Sequence, residues 1–324
     1  MKADKNINVI IIAGIFSLVS AFCMTYAILT LPTILDNILR DYKIGFGQWP
    51  HFLYPSVIGF SILLIITIIG FTKDKTTLSL FGSIGYFIPT LAHFTWGMYT
   101  FYGIGIIRVL WGPPDVIGYT ILGDIVNLPL QIIIGHTLPI RRNHEESIFV
   151  DRLILLSDVM MIIGFFILTF SIFNYLYGKY MDREIVNFWF YKYVRHPQYL
   201  GYIIWSYGVY ARTNITSGVY GESRPKSFPW VVSFLLIICI ALIEEINLSS
   251  INDSYKKYKD NSHFMMPLPK VISYVIVVPY MLLSKNTEPN NKKDIILVFV
   301  IYLSIIAFFS WIFYWGVIRH RLWR

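Results

Sequence analysis

Charge is what this chain has least of. Asp, Glu, Lys and Arg make up 14% of its 324 residues, against about a quarter in soluble globular domains. That shortage excludes an ordinary water-soluble globule. Cysteine is scarce too, with two residues, Cys23 and Cys239, each inside an apolar run. A disulfide framework and a Cys-based zinc site are thereby excluded, and both thiols are expected to pack as small apolar groups. The alternating pattern of a membrane β-barrel is missing. So are internal repeats and low-complexity tracts.

What is present is 56% hydrophobic and 17% aromatic sequence in long runs, with a mean hydropathy of +0.58. In hydrocarbon, a continuous apolar run satisfies its backbone only as a helix. The net charge of +8 does not point to nucleic acid, because Lys2, Lys5, Lys73, Lys75, Arg141, Arg142, Lys292, Lys293, Arg319 and Arg321 flank the apolar runs, where cations meet headgroups and water. The apolar run from residue 9 to 35 is too long for a signal-peptide core and predicts a first membrane helix. Runs at 8–35, 52–71, 77–101, 116–140, 153–177, 199–211, 228–243 and 295–318, with a shorter one at 271–283, predict an all-α polytopic membrane bundle of about 7–9 transmembrane helices. The stretches 199–211 and 271–283 are short for a full crossing, and the second is a candidate interfacial piece. Lys and Arg divide evenly between the two sides, so the positive-inside rule gives no orientation.

Three polar stretches, 143–152, 178–196 and 244–270, divide the chain. They suggest N-terminal membrane helices over 1–145, a core over 146–270, and an interfacial segment with a last helix over 271–324. The apolar runs 199–211 and 228–243 enclose the turn-rich loop 212–227, with Gly218, Gly221 and Pro225, and read as a helical hairpin. Its outer ends would bring Arg195-His196-Pro197 and Glu244-Glu245 to one membrane face.

Each cluster carries chemistry. Proline is favoured in the first helical turn and holds the preceding residue extended, so a helix is expected to start at Pro197. Its unpaired N–H groups would offer an anion site, beside the two-point donor Arg195. An interfacial aromatic belt explains the same residues. Glu244 and Glu245 follow an apolar run, where acidic groups oppose a helix C-terminal dipole. Neighbouring helix residues point about 100° apart, so one carboxylate can face a ligand while the other meets water. A plain solvated helix end explains the pair equally. Tyr255-Lys256-Lys257-Tyr258 and Pro267-Leu268-Pro269 read as amphipathic and interfacial. In the N-terminal runs, His93, Asp124, Asn127 and His136 are buried-polar or substrate-contact candidates; no motif supports a haem on the two histidines.

The ordered set Arg195-His196-Pro197-Gln198-Tyr199-Leu200-Gly201, a hairpin, Glu244-Glu245-Ile246-Asn247-Leu248, then Tyr255 and Tyr258, resembles the isoprenylcysteine carboxyl methyltransferase and phospholipid methyltransferase superfamily. The resemblance covers roughly residues 153–270. It implies S-adenosyl-L-methionine as cofactor, held by Tyr191, His196, Pro197, Gln198, Tyr199 and Glu244. Arg195, His196 and Glu245 take the catalytic roles, and 183–186 is a backbone-contact stretch. It implies a lipophilic acceptor entering from the bilayer, either a prenyl carboxylate or a phospholipid headgroup; outside the stretch that carries the resemblance, His93, Asp124 and His136 are candidate contacts for it as ionisable groups in apolar runs. The active site is expected at the cytoplasmic face. Ile240 stands where prenylcysteine-specific members carry Arg, and Ile251-Asn252-Asp253 replaces their Phe-Gly. Two other readings remain: an NADPH-dependent sterol-type membrane reductase, and a membrane carrier or scaffold without catalysis.

Overall fold

The computed structural model describes residues 2–39, 49–73, 75, 77–80, 82, 124–128, 144–219, 227–251, 253–284 and 286–313. His93 and His136 lie outside them, as do most of the expected helices 77–101 and 116–140. Asp124 opens a 3-10 turn, Asp124–Asn127.

Among the described residues every named element is helical: α1 (Lys2–Leu39), α2 (Trp49–Thr72), α3 (His144–Tyr180), the short α4 (Phe190–Tyr193), α5 (Pro197–Val219), α6 (Phe228–Ile251), α7 (Asp253–Asp260), α8 (Lys270–Ser284) and α9 (Lys292–Phe313). One isolated parallel bridge joins Val194 to His263. Three segments are long and apolar enough to cross a membrane: Val150–Tyr180 of α3, Trp230–Ser250 of α6, and α9. Their outward residues include Ile162, Phe166, Ile296 and Phe308, which water would not tolerate in such density.

Two expected helices run longer than their apolar cores. α5 continues past Ala211 to Val219, because its polar residues are satisfied where they stand. Arg212 Nε pairs with Asp158 at 3.0 Å, and Thr213 donates to the Val209 carbonyl at 2.8 Å. α6 continues past Ile243 to Ile251, so Glu244 and Glu245 lie inside the helix and not at its C-terminal end. The dipole argument against them loses force there, since the effect is confined to the last turn. α8 spans 15 residues with Pro279 inside; at 1.5 Å per residue it reaches about 22 Å, short of the roughly 30 Å hydrocarbon core.

The chain forms two compact units. The first comprises Met1–Ala27, Val159–Gly208 and Ala241–Asp294, the second Ile28–Asp158, Val209–Ile240 and Ile295–Arg324. In the second, Leu236 packs with Leu63, Phe71, Val232 and Phe299, and Trp230 stacks between Tyr210 and Phe234.

The first unit depends on small residues. Ala13, Ser17 and Ala21 form the buried edge of α1, with Gly14 facing Phe173 of α3. Between α3 and α5 the approach is closer. A Cβ at Gly201 would stand 2.5 Å from the Leu168 nitrogen, and one at Gly164 would meet the Trp205 backbone. Two backbones can approach this closely only where side chains are absent, the usual device for helix pairs in lipid. The approach sets α3 beside the first turns of α5, where the chemistry-bearing residues begin.

Gly164→Val and Gly201→Val should therefore each destabilise the protein by at least about 1–3 kcal/mol, the usual cost of overpacking. Gly14→Ala, whose new Cβ would sit 3.9 Å from Phe173, should be tolerated. Thermal unfolding in detergent checks both; equal behaviour of the three variants would refute the close-approach account.

Candidate functional site

The site grows from α4, the start of α5, the last third of α6, and the segment from α7 to Phe264. Pro197 opens α5, with the Leu200 N–H donating to the His196 carbonyl at 3.1 Å. Proline fits here because its missing N–H is an orphan of the first turn anyway. Just upstream, Trp189 adopts φ 49 and ψ −122, a strained conformation for a bulky residue. Its ring stacks on Phe173 at 5.6 Å and Tyr177 at 5.7 Å, and this packing holds the backbone that aims Tyr191 inward. The stretch 183–186 follows Asp182, at φ 51; Asp visits this region more readily than most residues.

The two clusters, some fifty positions apart, meet. Arg195 Nε donates to Glu245 Oε1 at 2.5 Å, with side chains only 7% and 5% exposed. The other Glu245 oxygen lies 3.5 Å from Nη2. Arg195 Nη1 donates to the Lys259 carbonyl at 2.8 Å and the Ser262 carbonyl at 2.5 Å. His196 Nε2 stands 3.3 Å from Glu245 Oε1, and its Nδ1 stands 3.7 Å from Glu244 Oε2. Tyr199 donates its hydroxyl to Glu244 at 2.8 Å, and Tyr191 donates to the Gln198 side-chain oxygen at 2.9 Å.

The helical offset divides the carboxylates as the sequence requires of one of them. Glu245 turns inward onto Arg195. Glu244, 26% exposed at its side chain, turns toward Tyr199 and the opening. Glu245 is not the carboxylate that meets water, and its engagement with a guanidinium removes it as a free general base. Arg195 is likewise engaged and not open toward solvent. Both are expected in catalytic roles, and the structure pairs them with each other.

Three groups that sequence reasoning missed belong here. Tyr175 of α3 adds to the field on the Tyr191 phenol. Burial first, then Tyr258, Tyr175 and Glu244, hold that phenol well above its ordinary range. Several phenols thus gather around one partly open carboxylate. His263 closes the floor: its N–H donates to the Tyr193 carbonyl, and its own carbonyl accepts from the Arg195 N–H, both at 2.9 Å. Phe264 lies edge-on to the His196 ring at 5.4 Å. Tyr175 was hidden by looking like any tyrosine near a membrane helix end. His263 and Phe264 contribute through backbone pairing and a ring edge, which leave no residue pattern.

Lys259, half-buried, bonds Glu288 and stands 3.8 Å from Glu245 Oε2. Tyr258 donates its hydroxyl to the Tyr191 carbonyl. Burial pushes the Tyr258 phenol up to about 12 from an ordinary 10.0, against the opposing pull of Ser262 and Arg195.

No family model, curated protein or solved structure matches this chain. The site is therefore read from its own geometry.

Two outcomes are expected. Glu245→Ala leaves Arg195 buried without its counter-charge and should cost roughly 3–5 kcal/mol of stability, read as a fall in unfolding temperature; a change under about 0.5 kcal/mol would show the pair to be solvated. For Tyr258 the folded value lies above the unfolded one, so its stabilising contribution is complete below pH 10.0 and lost as pH rises to about 12. An ultraviolet difference titration of wild type against Tyr258→Phe should place that phenol's midpoint near the upper value, and a midpoint at the ordinary tyrosine value would contradict the burial.

Proposed function

We propose that this protein is a multi-pass membrane methyltransferase, with about seven to nine crossings, that uses S-adenosyl-L-methionine and acts on a lipophilic acceptor. The observation that carries the reading is the partly open Glu244 carboxylate, bonded to Tyr199 and lying 3.7 Å from the His196 ring nitrogen. A carboxylate among electron-rich rings favours a cation, and the cofactor is a sulfonium. Residues 146–270 serve as the catalytic core, and the site opens at the cytoplasmic face.

The cofactor's parts have fitting partners. Tyr191, Tyr199 and Glu244 suit the sulfonium or the ribose hydroxyls. The first N–H groups of α5, at Gln198 and Tyr199, suit the methionine carboxylate. When bound, the cofactor supplies an electrophilic methyl group. The chain's own service is orientation, which for a direct displacement is worth several kcal/mol. His196 is held between the two carboxylates and stacked on Tyr199 at 5.7 Å, where it fixes the Tyr199 ring; it is the group we assign to taking up an acceptor proton. A carboxylate acceptor needs no such base; an amine does.

An NADPH reductase needs free cations for the extra phosphate. In this site Arg195 is paired with Glu245, and Lys259 with Glu288.

Titration calorimetry of the detergent-solubilised protein tests the reading. S-adenosyl-L-methionine should bind, and Glu244→Gln should weaken it by about tenfold or more, the usual value of a charge-assisted contact. Binding of NADPH in its place would move the protein to the reductase class. Binding of neither to folded protein would favour a carrier or scaffold.

A further inference from the structure

We infer that Arg195 is a positioning residue that clamps the segment 259–263 onto α4 and α6, and that it does not bind the ligand's carboxylate. The inference concerns how the site described above is held; its ligand arm rests on the methyltransferase reading, and its clamp arm does not.

A guanidinium has five N–H donors. Here Nε–H points to Glu245 Oε1, both Nη1–H groups are taken by the Lys259 and Ser262 carbonyls, and one Nη2–H faces Glu245 Oε2. One donor remains. Two-point recognition of a carboxylate needs two parallel N–H groups, so a ligand carboxylate would have to break the buried pair to be held that way. Side-chain exposure of 7% adds that no open face is presented.

The same contacts explain what the residue does. Its main-chain N–H donates to the His263 carbonyl at 2.9 Å, so side chain and backbone grip 259–263 together. The guanidinium carbon lies over the Phe264 ring, 5.9 Å from its centroid. On α6, the guanidinium fixes Glu245 inward. Since the next helix position points about 100° away, fixing Glu245 also fixes where Glu244 faces. One side chain thereby sets the floor of the site and the direction of its open carboxylate. Lysine cannot reproduce this, because a single ammonium on a flexible stem cannot reach Glu245 and two carbonyls in one plane.

Three measurements on the full-length protein decide the matter. The first is hydrogen–deuterium exchange of the ligand-free protein over residues 258–264. Arg195→Lys should raise exchange there by about tenfold or more, and Glu244→Gln should not. Should Arg195→Lys fail to fold, Glu245→Gln is expected to give the same local rise at smaller size. Unchanged exchange in a folded variant overturns the clamp.

The second crosses Arg195→Lys with S-adenosyl-L-methionine and its decarboxylated analogue. A positioning role weakens both ligands by the same factor, to within about twofold. A loss for the carboxylate-bearing ligand more than about tenfold greater than for the analogue would show direct contact and overturn the inference. The third is turnover at saturating cofactor, which Arg195→Lys should keep within about threefold of wild type while KM rises. A kcat loss without change in KM would place Arg195 at the reacting atoms and also overturn it. If wild type binds neither ligand, the methyltransferase reading falls, and the exchange experiment still decides the clamp.

Discussion

Taking a carboxylate and a guanidinium out of water is unfavourable by several kcal/mol per ion, and a membrane-facing protein does so only where every charge is met. Arg195 and Glu245 meet that condition together, with the Lys259 and Ser262 carbonyls completing the guanidinium's bonds. Each feature of the site then follows. Glu245 is fixed inward, Glu244 outward, His196 between them, and the strand-like residues 193–195 against His263.

Beside the pair, α3 and α5 approach each other closely. Gly164 and Gly201 let two backbones meet where any side chain would keep them apart. That approach brings Tyr175 of α3 level with the start of α5, and places the strained Trp189 over Phe173 and Tyr177. The polar chemistry thus rests on an apolar constraint. Small residues decide where the helices cross, and the crossing decides which phenols share a carboxylate.

Much of this was legible in the residues, for physical reasons. The helix start at Pro197 follows from the missing N–H of proline; of the turn residues expected between the two apolar runs, Gly218 lies inside α5 and Gly221 and Pro225 fall outside the described residues. The meeting of Arg195–His196 with Glu244–Glu245 follows from the expected hairpin. What was not legible depended on partners distant in sequence. Where α6 ends could not be read from its dipole, because the cation that permits Glu245 inside a helix lies fifty positions upstream. The commitment of Arg195 was invisible for the same reason: two of its acceptors are main-chain carbonyls, which every residue has. Its side chain looks like that of an open ligand-binding arginine until those carbonyls are placed. Of the substrate candidates, His93 and His136 fall outside the described residues.

The separation of the clamp's parts along the chain has a consequence for biogenesis. Arg195 is made before Glu245, and Glu245 before the Lys259 and Ser262 carbonyls. Until Glu245 is made Arg195 has no counter-charge, and until residues 259 and 262 are made its guanidinium lacks two of its acceptors. The ion pair can form once residue 245 has left the ribosome, but the grip on 259–263 cannot close before residue 263 has. Completion of the site thus reports that translation has passed that residue. A chain stopped between residues 245 and 263 would have its two charges matched yet leave guanidinium N–H donors without their carbonyl acceptors, and the floor of the site would be missing.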